Sequence, residues 1–318
     1  MKTAKVRNQM IAGRGQSLLG TVKQDIVSNK LIYMMAVPML AFYIIFCYYP
    51  MYGAVIAFKD YSPMKGIMGS PWVGFEHFRS FFQSYYFLRV IKNTFTINIC
   101  SLIFGFPAPI ILALLINEVR SKAFKRTVQT VSYLPHFIST IVVCGMMIDF
   151  LSVRGVVNDI IVILGGSRSN LLMQPHLFQP LYVVSGIWQD AGWSAIIYLA
   201  ALSAINEELY EAAIIDGASR WKQTLNVTIP SIMPTIIIML ILRMGEMMSV
   251  GYEKIILLYN PVTYSTADVI SSFVYRKGLL EFSYSYSTAV GLFNSVINFI
   301  LLVSANWISR KTSETSLW

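Results

Sequence analysis

Five residues inside apolar stretches of the sequence carry side chains that could bind a polar solute. Asp190, Glu246 and Asn294 are ionisable or polar groups at places where burial in lipid is costly, which makes them candidates for a functional site. Trp188 and Trp193 flank Asp190 and offer flat aromatic surfaces. These residue types favour binding by hydrogen bonds and stacking, because no cluster of histidine and carboxylate at metal-ligand or catalytic spacing accompanies them.

Each candidate also has a purely structural explanation. Glu246 follows Arg243 by three residues, so the two side chains could pair on one helix face. Asp190 could hydrogen-bond a neighbouring helix, and the tryptophans could anchor at the membrane interface. Asn294 and Asn298 are four residues apart and could join two helices through their amides.

The composition predicts that most of the chain lies in lipid. Of its 318 residues, 55% are hydrophobic and 13% charged, whereas soluble domains carry about 25% charged residues. The mean hydropathy is +0.58. The net charge of +9 comes from basic residues beside apolar runs, which is typical of membrane orientation signals. The three cysteines lie in apolar runs without CxxC spacing, so we expect neither disulfides nor a metal site.

Six apolar stretches, each near the ~20 residues that cross a bilayer, predict an all-α membrane protein. They occupy 31–57, 91–116, 129–151, 180–204, 229–250 and 286–308, within a membrane domain at 31–310 that is flanked by tails at 1–30 and 311–318. The tails and the loop at 117–128 are basic, which places both termini in the cytoplasm. At ~1.5 Å per residue, Asp190, Glu246 and Asn294 would lie about 15, 9 and 12 Å below the outer ends of their spans, where they could line one cavity.

A polar segment at 205–228 interrupts this pattern because it is acidic although the topology places it in the cytoplasm. Asn206 is predicted to cap a first helix, and Gly217 to end it in the left-handed conformation. A second helix is predicted from about 219 to 227, with a stop at Pro230. From periodicity alone, the segment could equally be an interfacial linker or a docking element.

The same segment resembles the EAA signature of the permeases of binding-protein-dependent ABC importers. That signature is E-A-A, three variable residues, Gly, nine variable residues and Ile-x-Leu-Pro; here it reads Glu211-Ala212-Ala213, Gly217 and Val227-x-Ile229-Pro230. The runs YLPHFIST, Asn93-Thr94 and Gly186-Ile187-Trp188 resemble sugar-importing members of the superfamily. The runs PMYGAVIAFKDYSP and WVGFEHF are similar to a subgroup that handles oligosaccharides derived from complex polysaccharides, alginate among them.

The resemblance implies the type I importer permease fold: six transmembrane helices with cytoplasmic EAA coupling helices at 206–228. It implies a non-catalytic subunit in a bacterial cell (inner) membrane that pairs with a second permease, as in a heterodimer, and with a cytoplasmic ABC ATPase dimer. An extracellular or periplasmic solute-binding protein would deliver an oligosaccharide. We expect no cofactor in this chain, since it has no G-x-x-x-x-G-K-[ST] loop and ATP and Mg would bind to the ATPase.

The resemblance also assigns site residues by position. The residues implied to couple to the ATPase are Glu211, Ala212, Ala213, Asp216, Gly217 and Pro230. Because sugars bind to stacked aromatics and hydrogen-bonding side chains, the residues expected to bind substrate are Trp188, Asp190, Trp193, Glu246 and Asn294.

Two other classes of protein fit the sequence less well. An ion-coupled secondary transporter of a small polar solute predicts inverted repeats with paired broken helices, and no convincing internal repeat is present. A membrane-embedded enzyme needs clustered catalytic residues, whereas His77, His136 and His176 are scattered along the chain.

Overall fold

The structure is a computed structural model that describes residue 25, residues 27–312 and residue 316. Most of the predicted tails at 1–30 and 311–318 lies outside the described residues. Internal contacts divide the chain into two units, residues 1–55 and 56–318. The described part of the first unit contains α1 (Lys30–Phe42), a π-helix at Tyr43–Tyr48 and α2 (Tyr49–Met51), and a 3₁₀-helix at Tyr52–Phe58 runs on into the second.

The second unit holds the remaining α-helices. They are α3 (Gly66–Gly69), α4 (Glu76–Gln83), α5 (Phe87–Cys100), α6 (Pro107–Glu118), α7 (Lys122–Tyr133), α8 (Thr140–Leu151), α9 (Val156–Ile163), α10 (Pro175–Ser203), α11 (Glu207–Ile215), α12 (Arg220–Gln223), α13 (Ile229–Met244), α14 (Tyr252–Leu258), α15 (Tyr264–Ala267), α16 (Ile270–Tyr275) and α17 (Tyr284–Thr312). The predicted all-α class is confirmed, since the described residues form no strand and a single antiparallel bridge joins Lys59 to Trp72.

Five helical stretches are long and apolar enough to cross a membrane, as a multi-pass membrane protein requires. They are Lys30–Phe58, Phe87–Glu118, Thr140–Ile163, Arg220–Met244 and Tyr284–Lys311. The predicted fourth span, 180–204, does fold as one long helix, the 29-residue α10. Gln189 and Asp190 in its middle make it more polar than the other five, so a sixth span remains a prediction.

The predicted third span, 129–151, is wrong as a single helix. Pro135 has no N–H to extend α7, and the chain passes through a 3₁₀-turn at Leu134–Phe137. Ile138 and Ser139 are extended, and α8 begins at Thr140. The apolar stretch consequently runs from Thr140 to Ile163 and includes α9.

The predicted stop at Pro230 is also wrong. A π-helix at Thr224–Thr228 joins α12 to α13, and the helical stretch Arg220–Met244 passes through Pro230 without a break. Pro230 is the second residue of α13. The π-helix before it has a wider turn than an α-helix, which accommodates a proline, since proline has no backbone N–H to donate. A π-helix at Ser101–Gly105 precedes Pro107 in the same way.

The predicted fifth span, 229–250, ends earlier than expected. Gly245 caps α13 after Met244, so Glu246 lies in the following turn and not in the helix. Asn298 of α17 stabilises this turn: its Oδ1 accepts from the N–H of Met248 at 2.7 Å, and its Nδ2 donates to Ser249 Oγ at 3.0 Å. Asn298 therefore links α17 to the turn after α13, and not to a second helix as the sequence alternative had it.

The long helix α10 organises the apolar core. At its start Phe178 packs with residues of α8 and α14. At its end Ala195, Tyr198 and Leu202 pack with α6 and α13. Between them, a Cβ on Gly192 would lie 1.9 Å from the carbonyl oxygen of Ser132. Only glycine therefore lets α7 approach α10 this closely.

A buried polar cluster joins α5 to the segment before α16. Asn93 Nδ2 donates to the carbonyl of Asp268 at 3.0 Å, and the N–H of Ile270 donates to Thr94 Oγ1 at 3.0 Å. The Asp268 carboxylate, fully buried, contacts Arg89 at 2.9 Å and Arg276 at 2.8 Å. The Asn93-Thr94 pair that the sequence singled out thus has a packing role.

Candidate functional site

A cavity of about 990 Å³ opens beside α10, a volume typical of sites that bind organic ligands. It lies wholly within residues 56–318. Its walls come from the α5–α6 region, the turn before α8, α10, the end of α13 and α14. Its polar and aromatic lining includes His136, Tyr182, Gln189, Asp190, Trp193, Arg243, Glu246, Ser249, Tyr252, Glu253 and Lys254.

The turn before α8 forms one wall with α10. His136 Nδ1 lies 3.0 Å from Asp190 Oδ1, and the rings of His136 and Trp193 stack at 4.8 Å with a 3° angle between their planes. Gln189 Nε2 donates to the carbonyl of Ile138 at 3.1 Å. Phe137 meets Trp193 edge-on at 5.4 Å. This wall therefore presents aromatic surface next to hydrogen-bonding groups.

The part of the lining at the end of α13 carries two opposite charges. Arg243 Nη1 lies 3.8 Å from Glu246 Oε2, so the i, i+3 pair weighed from the sequence is present, although long. Both side chains remain substantially exposed, at 38% and 70%. A loose and exposed pair of this kind contributes little to stability, so both groups are free to bind a solute.

The cavity brings together three of the five residues predicted to bind substrate. Asp190, Trp193 and Glu246 all line it. Trp188 does not, because it projects from another face of α10 into a separate apolar groove of about 590 Å³ beside α7. Asn294 also lies outside the cavity lining, and its Oδ1 is buried without a hydrogen-bond partner among the described residues.

Sequence reasoning missed two residues that define this cavity. His136 is one of three histidines scattered along the sequence, yet it lies inside the YLPHFIST run and contacts Asp190, 54 positions away. Lys254 belongs to no motif in the sequence, and the structure buries it in α14. The YLPHFIST run could have indicated His136 as a site residue. No motif or spacing in the sequence indicates Lys254.

The EAA-like segment forms a sharply ended helix, as predicted. Asn206 caps α11 by accepting from the N–H of Glu208 at 3.1 Å. At the other end Gly217 has φ +72°, Ala218 N–H donates to the Ala213 carbonyl at 2.9 Å, and Gly217 N–H to the Ile214 carbonyl at 3.0 Å. These two bonds make a Schellman motif, which fixes the direction of the turn.

The turn after α11 exposes apolar side chains. Ile214, Ile215 and Trp221 are 61%, 85% and 70% exposed. Of the residues predicted to couple, Ala213 is half-buried, and the exposed ones are Glu211, Ala212, Asp216, Gly217 and Pro230. Exposed isoleucine and tryptophan side chains within one short segment are typical of a surface that a partner protein covers.

Two contacts tie this surface to the membrane helices. Tyr210 Oη and Thr228 Oγ1 lie 3.0 Å apart and join α11 to the π-helix. Arg220 Nη1 donates to Glu118 Oε2 at 3.1 Å and joins α12 to the end of α6. The segment after α10 is therefore hydrogen-bonded to the helical stretch that leads into α13 and to the end of α6.

Comparison with known proteins agrees with this geometry. Residues 105–314 match the family described as binding-protein-dependent transport system inner membrane component. The chain belongs to this family. The permease is 43% identical to protein LplB of Bacillus subtilis (strain 168) over 310 residues, covering 97% of this chain and 96% of LplB. It is 42% identical to the polygalacturonan/rhamnogalacturonan transport system permease protein YteP of the same organism, covering 92% of each.

Solved structures also resemble the permease. A chain of a bacterial alginate ABC transporter, in complex with an alginate pentasaccharide-bound periplasmic protein, is 46% identical with a TM-score of 0.86. The match covers 92% of this permease and 99% of that chain. A second structure of a bacterial importer of alginate, 47% identical, gives the same TM-score and coverage. The recognition of an ABC importer permease from the EAA-like segment is confirmed.

Proposed function

We propose that this chain is the transmembrane half of an ATP-driven importer that moves an oligosaccharide across a bacterial cell membrane. The observation that carries the proposal is the capped helix α11, which ends at Gly217 and exposes Ile214, Ile215 and Trp221. Such a surface is needed where mechanical work enters from another protein. The similarity to permeases of polysaccharide-derived sugars supports a saccharide as the cargo.

The proposed assembly contains a second permease and a cytoplasmic ATPase dimer. Nucleotide and Mg²⁺ bind to the ATPase, because this chain lacks a phosphate-binding loop. Closure of the ATPases displaces α11 and α12. The contact of α11 with the π-helix and the contact of α12 with α6 pass the displacement to the cavity. Glu211, Ala212 and Asp216 lie on the exposed docking segment. A solute-binding protein supplies the oligosaccharide from outside.

The proposed topology has six spans, with α10 as the fourth. Its polar middle faces the cavity through Gln189 and Asp190, so the residues that lower its hydropathy are removed from lipid by water and by neighbouring helices. Six spans place both termini and α11 on the cytoplasmic side, in agreement with the basic loop at 117–128.

The cavity is the proposed sugar path. Trp193 offers a stacking surface, and Asp190 and Glu246 offer carboxylates that accept hydrogen bonds from hydroxyl groups. An ion-coupled transporter is not favoured, because it has no use for an exposed docking helix at Glu211–Gly217.

Trp193 and Trp188 provide a matched test of the sugar path. They lie on the same helix with similar exposure, 43% and 48%, but only Trp193 lines the cavity. In the purified complex, Trp193→Ala should raise the oligosaccharide concentration for half-maximal ATPase stimulation about three- to tenfold, as expected from loss of aromatic stacking. Trp188→Ala should leave this concentration unchanged. Equal effects of the two variants, or no effect of Trp193→Ala, would remove the cavity from the transport path.

A further inference from the structure

Lys254 is a buried cation at the wall of the cavity. It is 8% exposed and lies on α14 beside Ile255, which is fully buried. Gly251 precedes α14, and α14 packs against α8. The Lys254 side chain also lies beside α10, since a Cβ on Gly186 would be 4.0 Å from its Nζ. The absence of a side chain at Gly186 leaves the space next to the ammonium group open.

The ammonium group has no carboxylate partner. In the part of the chain that the structure describes, no Asp or Glu oxygen lies within 4.0 Å of Lys254 Nζ. Its contacts are the Tyr182 carbonyl at 3.5 Å and the Tyr182 ring at 5.0 Å. An ammonium group has three N–H donors, and one long hydrogen bond leaves two of them available.

A buried charge without a counter-ion is costly, and proteins normally pair it. The other cations that line the same cavity are paired: Arg243 with Glu246, and His136 with Asp190 when the ring is protonated. The lining holds three acids, Asp190, Glu246 and Glu253, and none of them has a carboxylate oxygen within 4.0 Å of Lys254 Nζ. Lys254 is left with a buried positive charge directed at a space large enough for an organic ligand, and this indicates an anionic group on the ligand.

The neighbouring side chains define the class of anion. A cavity of about 990 Å³ is far larger than an inorganic ion needs. Trp193, Tyr182 and Tyr252 supply aromatic surfaces, and Gln189 and Ser249 supply hydrogen-bonding groups. These groups suit a polyhydroxylated ring, and an ammonium group beside them suits a carboxylate on that ring.

We propose that Lys254 binds the carboxylate of a uronate residue, so that the cavity selects acidic oligosaccharides over neutral ones. This inference rests on the proposed import function and adds the chemical class of the substrate and the residue that recognises it. The charge-assisted hydrogen bonds from Lys254 replace the hydration that the uronate loses on entering the cavity.

Binding to the assembled complex tests this role directly. The permease pair with its ATPase, purified in lipid nanodiscs without the solute-binding protein, is titrated with trigalacturonate, with its fully methyl-esterified form and with maltotriose. Wild-type complex should bind trigalacturonate more tightly than the ester. Lys254→Met should weaken trigalacturonate binding about ten- to hundredfold, as expected for a charge-assisted contact, and leave ester binding unchanged.

Three further proteins complete the design. Lys254→Arg keeps the charge and should bind trigalacturonate better than Lys254→Met does. Lys65→Met removes a positive charge from an exposed position outside the cavity and should bind as wild type does. If Lys254→Met fails to assemble, Lys254→Gln takes its place, and the comparison of acid with ester in the wild type needs no variant.

The alternative outcomes separate this inference from the import function. Equal wild-type affinity for acid and ester, equal losses for both in Lys254→Met, or tighter binding of maltotriose would overturn the role of Lys254 and leave an oligosaccharide importer standing. Absence of binding for all three saccharides, together with absence of saccharide-stimulated ATPase activity, would overturn both proposals.

Discussion

Replacement of Gly217 by valine should strongly reduce ATP-driven transport while the membrane helices still insert. Gly217 has φ +72°, and a side chain there would meet nothing within 4 Å, so the substitution causes backbone strain without a clash. The left-handed conformation costs an L-residue about 1–2 kcal/mol, and a β-branched residue is among the least tolerant. Strain of this size lowers the ratio of correctly ended to incorrectly ended α11 roughly 5- to 30-fold. The measurement is ATP-dependent uptake in vesicles, with ATPase retention by the tagged chain measured alongside.

Two controls separate backbone conformation from side-chain bulk. Gly217→Asn should keep most transport, because asparagine tolerates the left-handed conformation. Gly145 of α8 also has open space around it but no positive φ, so Gly145→Ala should have a small effect. Normal transport by Gly217→Val, or equal loss in Gly217→Asn, would show that the Schellman turn is not needed for coupling.

Asp268→Asn should cause the largest loss of stability of any single change considered. Asp268 is fully buried, and its carboxylate balances the positive charges of Arg89 and Arg276. The side chains of these two arginines are 25% and 18% exposed. Its other oxygen accepts from Ser272 Oγ at 3.0 Å. Neutralising the carboxylate leaves two largely buried guanidinium groups uncompensated, and removal of one partner of a buried pair costs about 3–5 kcal/mol. The measurement is the heat stability of the purified complex, followed by size-exclusion chromatography after heating.

Asp159→Asn is the matched control for Asp268→Asn. Asp159 also pairs with an arginine, Arg168, but both side chains are about half exposed, at 51% and 41%. An exposed pair contributes about 0–1 kcal/mol, so this variant should unfold close to the wild-type temperature. If Asp268→Asn is as stable as Asp159→Asn, the buried cluster does not stabilise the contact between α5 and α16.

The features that the sequence predicted well depend on local chemistry. The Asn206 cap and the Gly217 turn follow from residue types that satisfy helix ends within a few positions. The long apolar stretches follow from composition alone. The breaks within these stretches were harder to predict. A π-helix lets the helical stretch continue past Pro230, and Gly245 ends α13 before Glu246.

The features that the sequence did not predict depend on distant contacts. His136 and Asp190 are 54 positions apart, and Arg89 and Asp268 are 179 apart, so no spacing rule connects them. Trp188 and Trp193 looked equivalent beside Asp190, yet five positions on a helix turn one toward the cavity and the other toward α7. Whether Lys254 has a counter-ion depends on every carboxylate nearby and becomes visible only in the folded chain.

Purification of the tagged chain from its native membrane tests the central claim most directly. We expect a second permease and a P-loop ATPase to co-purify in stable ratio with it, and we expect ATP hydrolysis that an oligosaccharide with its binding protein stimulates. A chain that purifies alone and, reconstituted alone, accumulates solute in response to an ion gradient would contradict the account.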